Sequence, residues 1–166
     1  MKTLFTGDLH LGHENVIKFD NRPFKTVEEM DAELIRRWNN KVDKGDLVYV
    51  LGDMIWKARN DDAPSLIKSL NGQIILIKGN HDRFLHNAKA KAALAGIKDY
   101  DDICVALEDG TTRRCILSHY FMRCILDIAI RQSISMLTRT LVMKPTSRWT
   151  LPSNSIKWVA RMKFIM

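Results

Sequence analysis

Seven residues of this 166-residue chain carry side chains suited to holding a cation, and they fall in four short clusters: Asp8-Leu9-His10, Gly52-Asp53, Gly79-Asn80-His81-Asp82 and Ser118-His119-Tyr120. An Asp and a His two apart in an extended turn can point to one side and chelate a single metal, the carboxylate being a hard ligand and the imidazole a borderline one. A loop Asp that caps the following helix beside a solvated His is the other reading of the first cluster. Each cluster follows an apolar run that reads as a buried strand, and α/β folds keep their sites at such strand ends. His13 is a nearby second imidazole, read as a substrate-side or structural residue rather than a ligand.

The elements that must position these clusters are legible in outline. Residues 2 to 6 read as a first strand. Thr26-Val27-Glu28-Glu29 fits a capping box for a helix with Val27, Met30, Leu34, Ile35 and Trp38 at helical spacing. Leu47-Val48-Tyr49-Val50-Leu51 is a near-continuous apolar strand of the parallel, doubly covered kind. Asp62 and Pro64 open a helix reaching about Leu70, Asn71-Gly72 closes it, and Gln73 to Ile77 is the next strand. Residues 84 to 95 predict an amphipathic helix stopped by Gly96, with His86 solvated on it. Ile103 to Leu107 and Arg113 to Leu117 flank Asp109-Gly110, a hairpin turn signal.

Composition bounds the rest. The length suits one domain with a genuine core. Neither a signal peptide nor a run of spanning length is found, so a cytoplasmic protein is expected. Cys104, Cys115 and Cys124 form no C-x-x-C pair, which argues against a disulfide framework or a structural zinc site. The net charge is +7. Residues 1 to 120 hold 18 basic and 18 acidic residues, whereas 121 to 166 hold 8 basic residues and Asp127 alone. The two stretches therefore divide into a core, 1–120, and a basic, atypical tail, 121–166.

The ordered set Asp8-x-His10, Gly52-Asp53, Gly79-Asn80-His81-Asp82 and His119 resembles the calcineurin-like metallophosphoesterase superfamily, over about residues 1 to 120. Gly12 to Ile17 and Asn21-Arg22-Pro23-Phe24 further resemble its small bacterial and phage members. The resemblance implies an α/β fold of four layers, two mixed β-sheets face to face with helices outside, and two divalent metal ions at the strand ends. Manganese comes first among them, with iron, zinc and nickel admissible. It also implies that Asp8 and His10 bind the first metal, Asp53 bridges, Asn80 and His119 bind the second, and His81 protonates the leaving oxygen. Asp82 is the expected partner that orients the His81 ring.

The chemistry suits the residue types. Two cations roughly 3.5–4 Å apart clamp a phosphoryl group and acidify a bridging water. Bridging calls for two donor oxygens, which a carboxylate has. Asn80 adds a neutral oxygen, and His81 is of the one residue type whose ordinary titration range suits proton donation near neutrality. A phosphoester substrate follows, nucleotides and nucleic acid among the candidates; no protein partner is inferred.

One part of the family pattern is missing. A later G-H-x-H segment supplies a further ligand to each metal, and no histidine follows His119. A change of reading frame accounts for this. Back-translated with permitted codons and regrouped from each third base, residues 132 to 140 can spell Ile-His-Leu-Tyr-Ala-His-Thr-His. The same regrouping of 143 to 149 permits Glu-Ala-Tyr-Phe-Glu-Val-Asp, and of 161 to 166 Asn-Glu-Ile-Tyr-Asn-Val. The shift is expected between about His119 and Leu126, leaving an incomplete C-terminal part and impaired activity. The alternative is a catalytically inactive module whose basic amphipathic tail, with Leu126, Ile130, Ile134, Leu137 and Leu141 on one stripe, binds nucleic acid or anionic membrane.

Overall fold

The computed structural model of the chain describes residues 1–56, 61–106 and 110–120. The tail from 121, with its expected amphipathic stripe, Cys124 and regrouped segments, lies outside the described residues, as do Leu107 and Asp109 of the expected hairpin. Among the described residues no helix is long and apolar enough to cross a membrane.

Four parallel strands build the first sheet, in the order β1 (Thr3–Thr6), β2 (Leu47–Leu51), β3 (Gln73–Ile77) and β4 (Gly96–Lys98). Thr3 pairs with Leu47 and Leu47 with Gln73, so the three longer strands start level and end within one residue of one another. Their carboxyl ends therefore open onto one edge. An antiparallel pair, β5 (Asp101–Ala106) and β6 (Thr112–Leu117), forms the second sheet.

Period-2 alternation sends the strand residues into two separate cores. Leu4, Val48, Val50, Ile74 and Leu76 face the helices, whereas Phe5, Tyr49, Leu51 and Ile77 face Cys115 and Leu117 of β6. The helix-side cluster takes Val16 from α1 (Glu14–Phe19), Met30, Leu34 and Trp38 from α2 (Val27–Lys41), Ala63 and Ile67 from α3 (Ala63–Ser69), and Ala90 from α4 (Ala88–Ala92). Each fully buried Val, Leu, Ile or Phe side chain contributes about 1.5–3 kcal/mol, so this double-sided sheet dominates the stability of the fold. The described residues thus supply three layers, helices, parallel sheet and antiparallel pair. Of the two sheets expected face to face, the described residues show four parallel strands in one and an antiparallel pair in the other.

Local expectations hold at most element ends. Thr26 Oγ1 accepts from Glu29 N at 3.2 Å and caps α2, while the Glu29 carboxylate reaches back to Lys25 N at 2.9 Å, one residue before the reciprocal partner of a capping box. Trp38 buries its ring and donates Nε1–H to the Asn71 carbonyl at 2.9 Å. The helix expected over 84–95 is instead a 3₁₀ turn, Arg83–His86, followed by α4, because Asn87 is extended and caps α4 through Lys89 N and Ala90 N. Both α1 and β4 were absent from the sequence reading. Each is short, and β4 begins at the Gly96 that was read as a stop.

Candidate metal centre

The site is assembled from the loops that follow β1, β2, β3 and β6. The first two run together: Asp8 N donates to the Gly52 carbonyl at 3.0 Å, His10 N to Asp53 at 2.9 Å, Leu11 N to Met54 at 3.1 Å and Trp56 N to Leu11 at 2.9 Å. This backbone pairing continues the β1–β2 register past the sheet and sets the two loops that carry Asp8, His10 and Asp53 side by side. It also forces unusual backbone. Asp8, His10 and Asp53 have φ of 50°, 53° and 52°, the left-handed region that L-residues seldom adopt. Conformations of this kind cost on the order of 1 kcal/mol or more and persist where the surroundings overdetermine them, typically at functional sites.

Two side chains supply that determination. Arg22 donates from Nη2 to the Asp8 carbonyl at 3.0 Å and to Asp20 at 3.1 Å, and from Nη1 to the Leu9 carbonyl at 2.9 Å. Asp31 of α2 accepts from Gly12 N at 2.9 Å. Removing the Arg22 fork by Arg22→Met should leave two carbonyls of the strained loop unheld and weaken manganese binding about 10-fold, the scale of an outer partner of a ligand. Titration of the variant beside Arg22→Lys, which keeps one of the contacts, checks this.

The loops after β2 and β3 approach more closely than any side chain would permit. A Cβ on Gly79 would lie 2.3 Å from Asp53 Oδ1 and 3.0 Å from Gly52 Cα, and one on Gly52 would lie 2.3 Å from His119 Nδ1. Asp82 fastens this junction. Its Oδ2 accepts from Asp53 N at 3.0 Å and Gly79 N at 2.7 Å, and its Oδ1 from Met54 N at 2.8 Å. Burial raises its pKa, against the three backbone N–H bonds that lower it. The expectation that Asp82 orients the His81 ring therefore needs correcting: both carboxylate oxygens are committed to backbone N–H groups, and the residue is a clamp between two loops.

Asp8, His10 and Asp53 each offer a ligand atom, all within 4.8 Å of one another. His10 Nε2 lies 3.5 Å from Asp8 Oδ1 and 3.8 Å from Asp53 Oδ2. On the other side, His119 Nε2 lies 3.7 Å from the same Asp53 Oδ2 and 2.9 Å from Asn80 Oδ1. One oxygen of Asp53 thus faces both imidazoles, while Oδ1 accepts from His81 N at 2.9 Å. The expected bridge used both carboxylate oxygens, whereas here a single oxygen, Oδ2, lies between the two imidazoles.

The donor set fits divalent cations. His119 Nδ1 is 3.0 Å from the Leu51 carbonyl, an obligate acceptor, so Nδ1 carries the hydrogen and Nε2 of the neutral ring presents a lone pair. That lone pair, Asn80 Oδ1 and Asp53 Oδ2 then form a group of acceptors with no donor among them. Asp8 Oδ2 is buried and has no hydrogen-bond partner. A cation held on either side would satisfy the acceptors there.

Aromatic rings border the centre. His13 stacks on Trp56 with centroids 3.8 Å apart and 16° between planes, Trp56 meets the His81 ring at 4.8 Å, and His81 lies 6.0 Å from His10. Burial is the main cause that lowers the His13 pKa, followed by His10 and His81. His86 sits on the 3₁₀ turn and joins none of these contacts. Arg22, Asp31 and Trp56 were missed as contributors to the site. Trp56 alone left a signal, as an indole three residues past the candidate ligand Asp53.

A cluster of carboxylates, imidazoles and an amide oxygen at the strand ends of a two-sheet α/β fold defines the metallohydrolase class. This chain belongs to the calcineurin-like phosphoesterase family, which matches residues 1–126. An uncharacterized protein of Methanocaldococcus jannaschii is 49% identical over 84 residues, 50% of this chain and 48% of that protein. A UDP-2,3-diacylglucosamine hydrolase of Aeromonas salmonicida is 30% identical over 143 residues, covering 80% of this chain and 50% of the relative. The chain thus spans about half the length of either relative. A crystal structure of a protein of unknown function, AQ665, from Aquifex aeolicus shares the fold with a TM-score of 0.55 at 24% identity, covering 72% of this chain and 61% of the other.

Proposed function

We propose that the chain is a phosphoester hydrolase using two divalent metal ions, manganese first among them, with Asp8 and His10 on one side, Asn80 and His119 on the other, and Asp53 shared. The observation that carries this reading is the placement of Asp53 Oδ2, 3.8 Å from His10 Nε2 and 3.7 Å from His119 Nε2. When bound, the cations supply charge stabilisation of the phosphoryl oxygens and a water acidified enough to attack near neutral pH. The remaining steps fall to the chain. Asn80 contributes a neutral oxygen, so the positive charge facing the phosphate is not cancelled. His81, beside His10 and Trp56, gives its ring proton to the leaving oxygen as the P–O bond breaks. Asp82 holds the backbone that carries Asp53 and His81, so one clamp sets both the shared ligand and the acid. We place this activity in the cytoplasm, a reducing compartment that suits the free thiols of Cys104 and Cys115.

Hydrolysis of a generic aryl phosphate, with and without manganese, tests the reading. His81→Ala should lower kcat by about 100-fold or more, the range of general acid catalysis, with manganese affinity retained. Unchanged turnover in that variant would remove His81 from the mechanism.

The missing closing segment gives a further expectation. The family match ends at residue 126, inside the stretch where a frame change was placed. Gene sequencing should find the regrouped frame open through the His-Thr-His triplet, and a chain carrying it should bind manganese at least about 10-fold more tightly than this one. Stop codons in that frame would dispose of the idea.

A further inference from the structure

A line of ring contacts leads away from the acid to the surface. The His81 ring meets Trp56 at 4.8 Å, Trp56 stacks on His13 at 3.8 Å, and His13 meets Phe19 edge-on at 6.4 Å. Phe19, the last residue of α1, is 71% exposed, although the same helix buries Val16 in the core. The phenyl ring is thus not needed by the fold, yet it stands at the outer end of a run of rings that begins at the proton donor. The backbone bond from Trp56 N to the Leu11 carbonyl ties the residue that carries this indole to the loop after β1.

We propose that these rings form a lane for the leaving group, and that the substrates are phosphoesters of an alcohol bearing a flat aromatic ring, of the nucleoside type. The proposal rests on the hydrolase reading above and names its substrate class. The group that protonates the leaving oxygen lies on the leaving-group side of the phosphorus. An alcohol released past His81 therefore passes Trp56 and His13 and reaches Phe19. Rings favour other flat π-systems by offset or edge-to-face contact, and every nucleobase has such a face. A small aliphatic alcohol, such as glycerol, offers nothing to stack there.

Two phosphomonoesters that differ only in the alcohol test this on the full chain in manganese: adenosine 5′-monophosphate and glycerol 3-phosphate, each titrated calorimetrically. The nucleotide should bind about 5- to 100-fold more tightly, the worth of one base–aromatic stack. Phe19→Ala should bring that ratio toward one, and Phe19→Tyr, which keeps the ring, should preserve it. Equal affinities in the unmodified chain, or a ratio that Phe19→Ala leaves intact, would overturn the proposal. Adenosine without phosphate or metal gives an independent arm, read as saturation transfer between the Phe19 ring and the base protons. Transfer there supports the lane even if manganese fails to bind, so loss of the hydrolase reading and loss of the lane are distinguished. Its absence with both adenosine and the nucleotide counts against the lane.

Discussion

Asp53→Asn should abolish manganese binding on both sides of the site at once, lowering affinity by more than about 100-fold and hydrolysis with it. Loss of a partner that only orients a ligand already costs about 10–100-fold, and among the described residues Asp53 has an oxygen that faces both imidazoles. The direction of the amide decides the outcome. His81 N–H points at Oδ1, so the asparagine must keep its oxygen there and turn its NH₂ toward His10 and His119. A donor then occupies the position from which, in the proposed centre, a lone pair would serve both cations. Asparagine tolerates the left-handed backbone at φ 52°, so the fold should survive, with circular dichroism and melting close to the parent. Calorimetric titration with manganese checks the prediction. A variant that still binds two ions with parental affinity would show that Asp53 is not the shared ligand.

Gly79→Ala should damage both stability and the site, though glycine to alanine usually favours the folded chain. The added methyl would lie 2.3 Å from Asp53 Oδ1, 2.6 Å from Asp53 N and 3.0 Å from Gly52 Cα. Two of those neighbours are backbone, with no flexible side chain to swing away. The loops after β2 and β3 must separate, stretching the bonds through which Asp82 holds Gly79, Asp53 and Met54. Overpacking of this kind costs about 1–3 kcal/mol. At this chain length, that lowers the melting temperature by several degrees, roughly 2–4 °C per kcal/mol. Gly45→Ala is the control, since nothing lies within 4 Å of its added methyl, and its stability should stay within about 0.5 kcal/mol of the parent. Thermal melts of the two variants decide the matter. Equal stability would mean that the junction is looser than the structure shows.

The sequence reading placed the candidate clusters because each is a contiguous motif just past an apolar run, and β1, β2, β3 and β6 end two or three residues before Asp8, Asp53, Asn80 and His119. It misread Asp82 because the carboxylate bonds mostly across the fold, to backbone N–H groups 28 and 29 residues away, and such partners leave no pattern in sequence. Arg22 went unassigned for the same reason: it holds carbonyls 13 and 14 residues back. Asn87 broke the helix expected over 84–95 because its side chain bonds the backbone locally, a competition that helical periodicity does not register.

The two apolar layers described above carry a mechanical consequence. Asp8, Asp53 and Asn80 are mounted on the parallel sheet, whereas His119 arrives on the strand β6 of the other. Contact between Leu51 and Ile77 on one side and Cys115 and Leu117 on the other sets the spacing between these mounts, and the bond from His119 to the Leu51 carbonyl pins it. The gap between the sheets is therefore also the aperture of one half of the metal centre. Changes of volume in that layer would reach the His119 side while leaving Asp8 and His10 in place, so the packing of a hydrophobic core would adjust one half of the candidate site separately from the other.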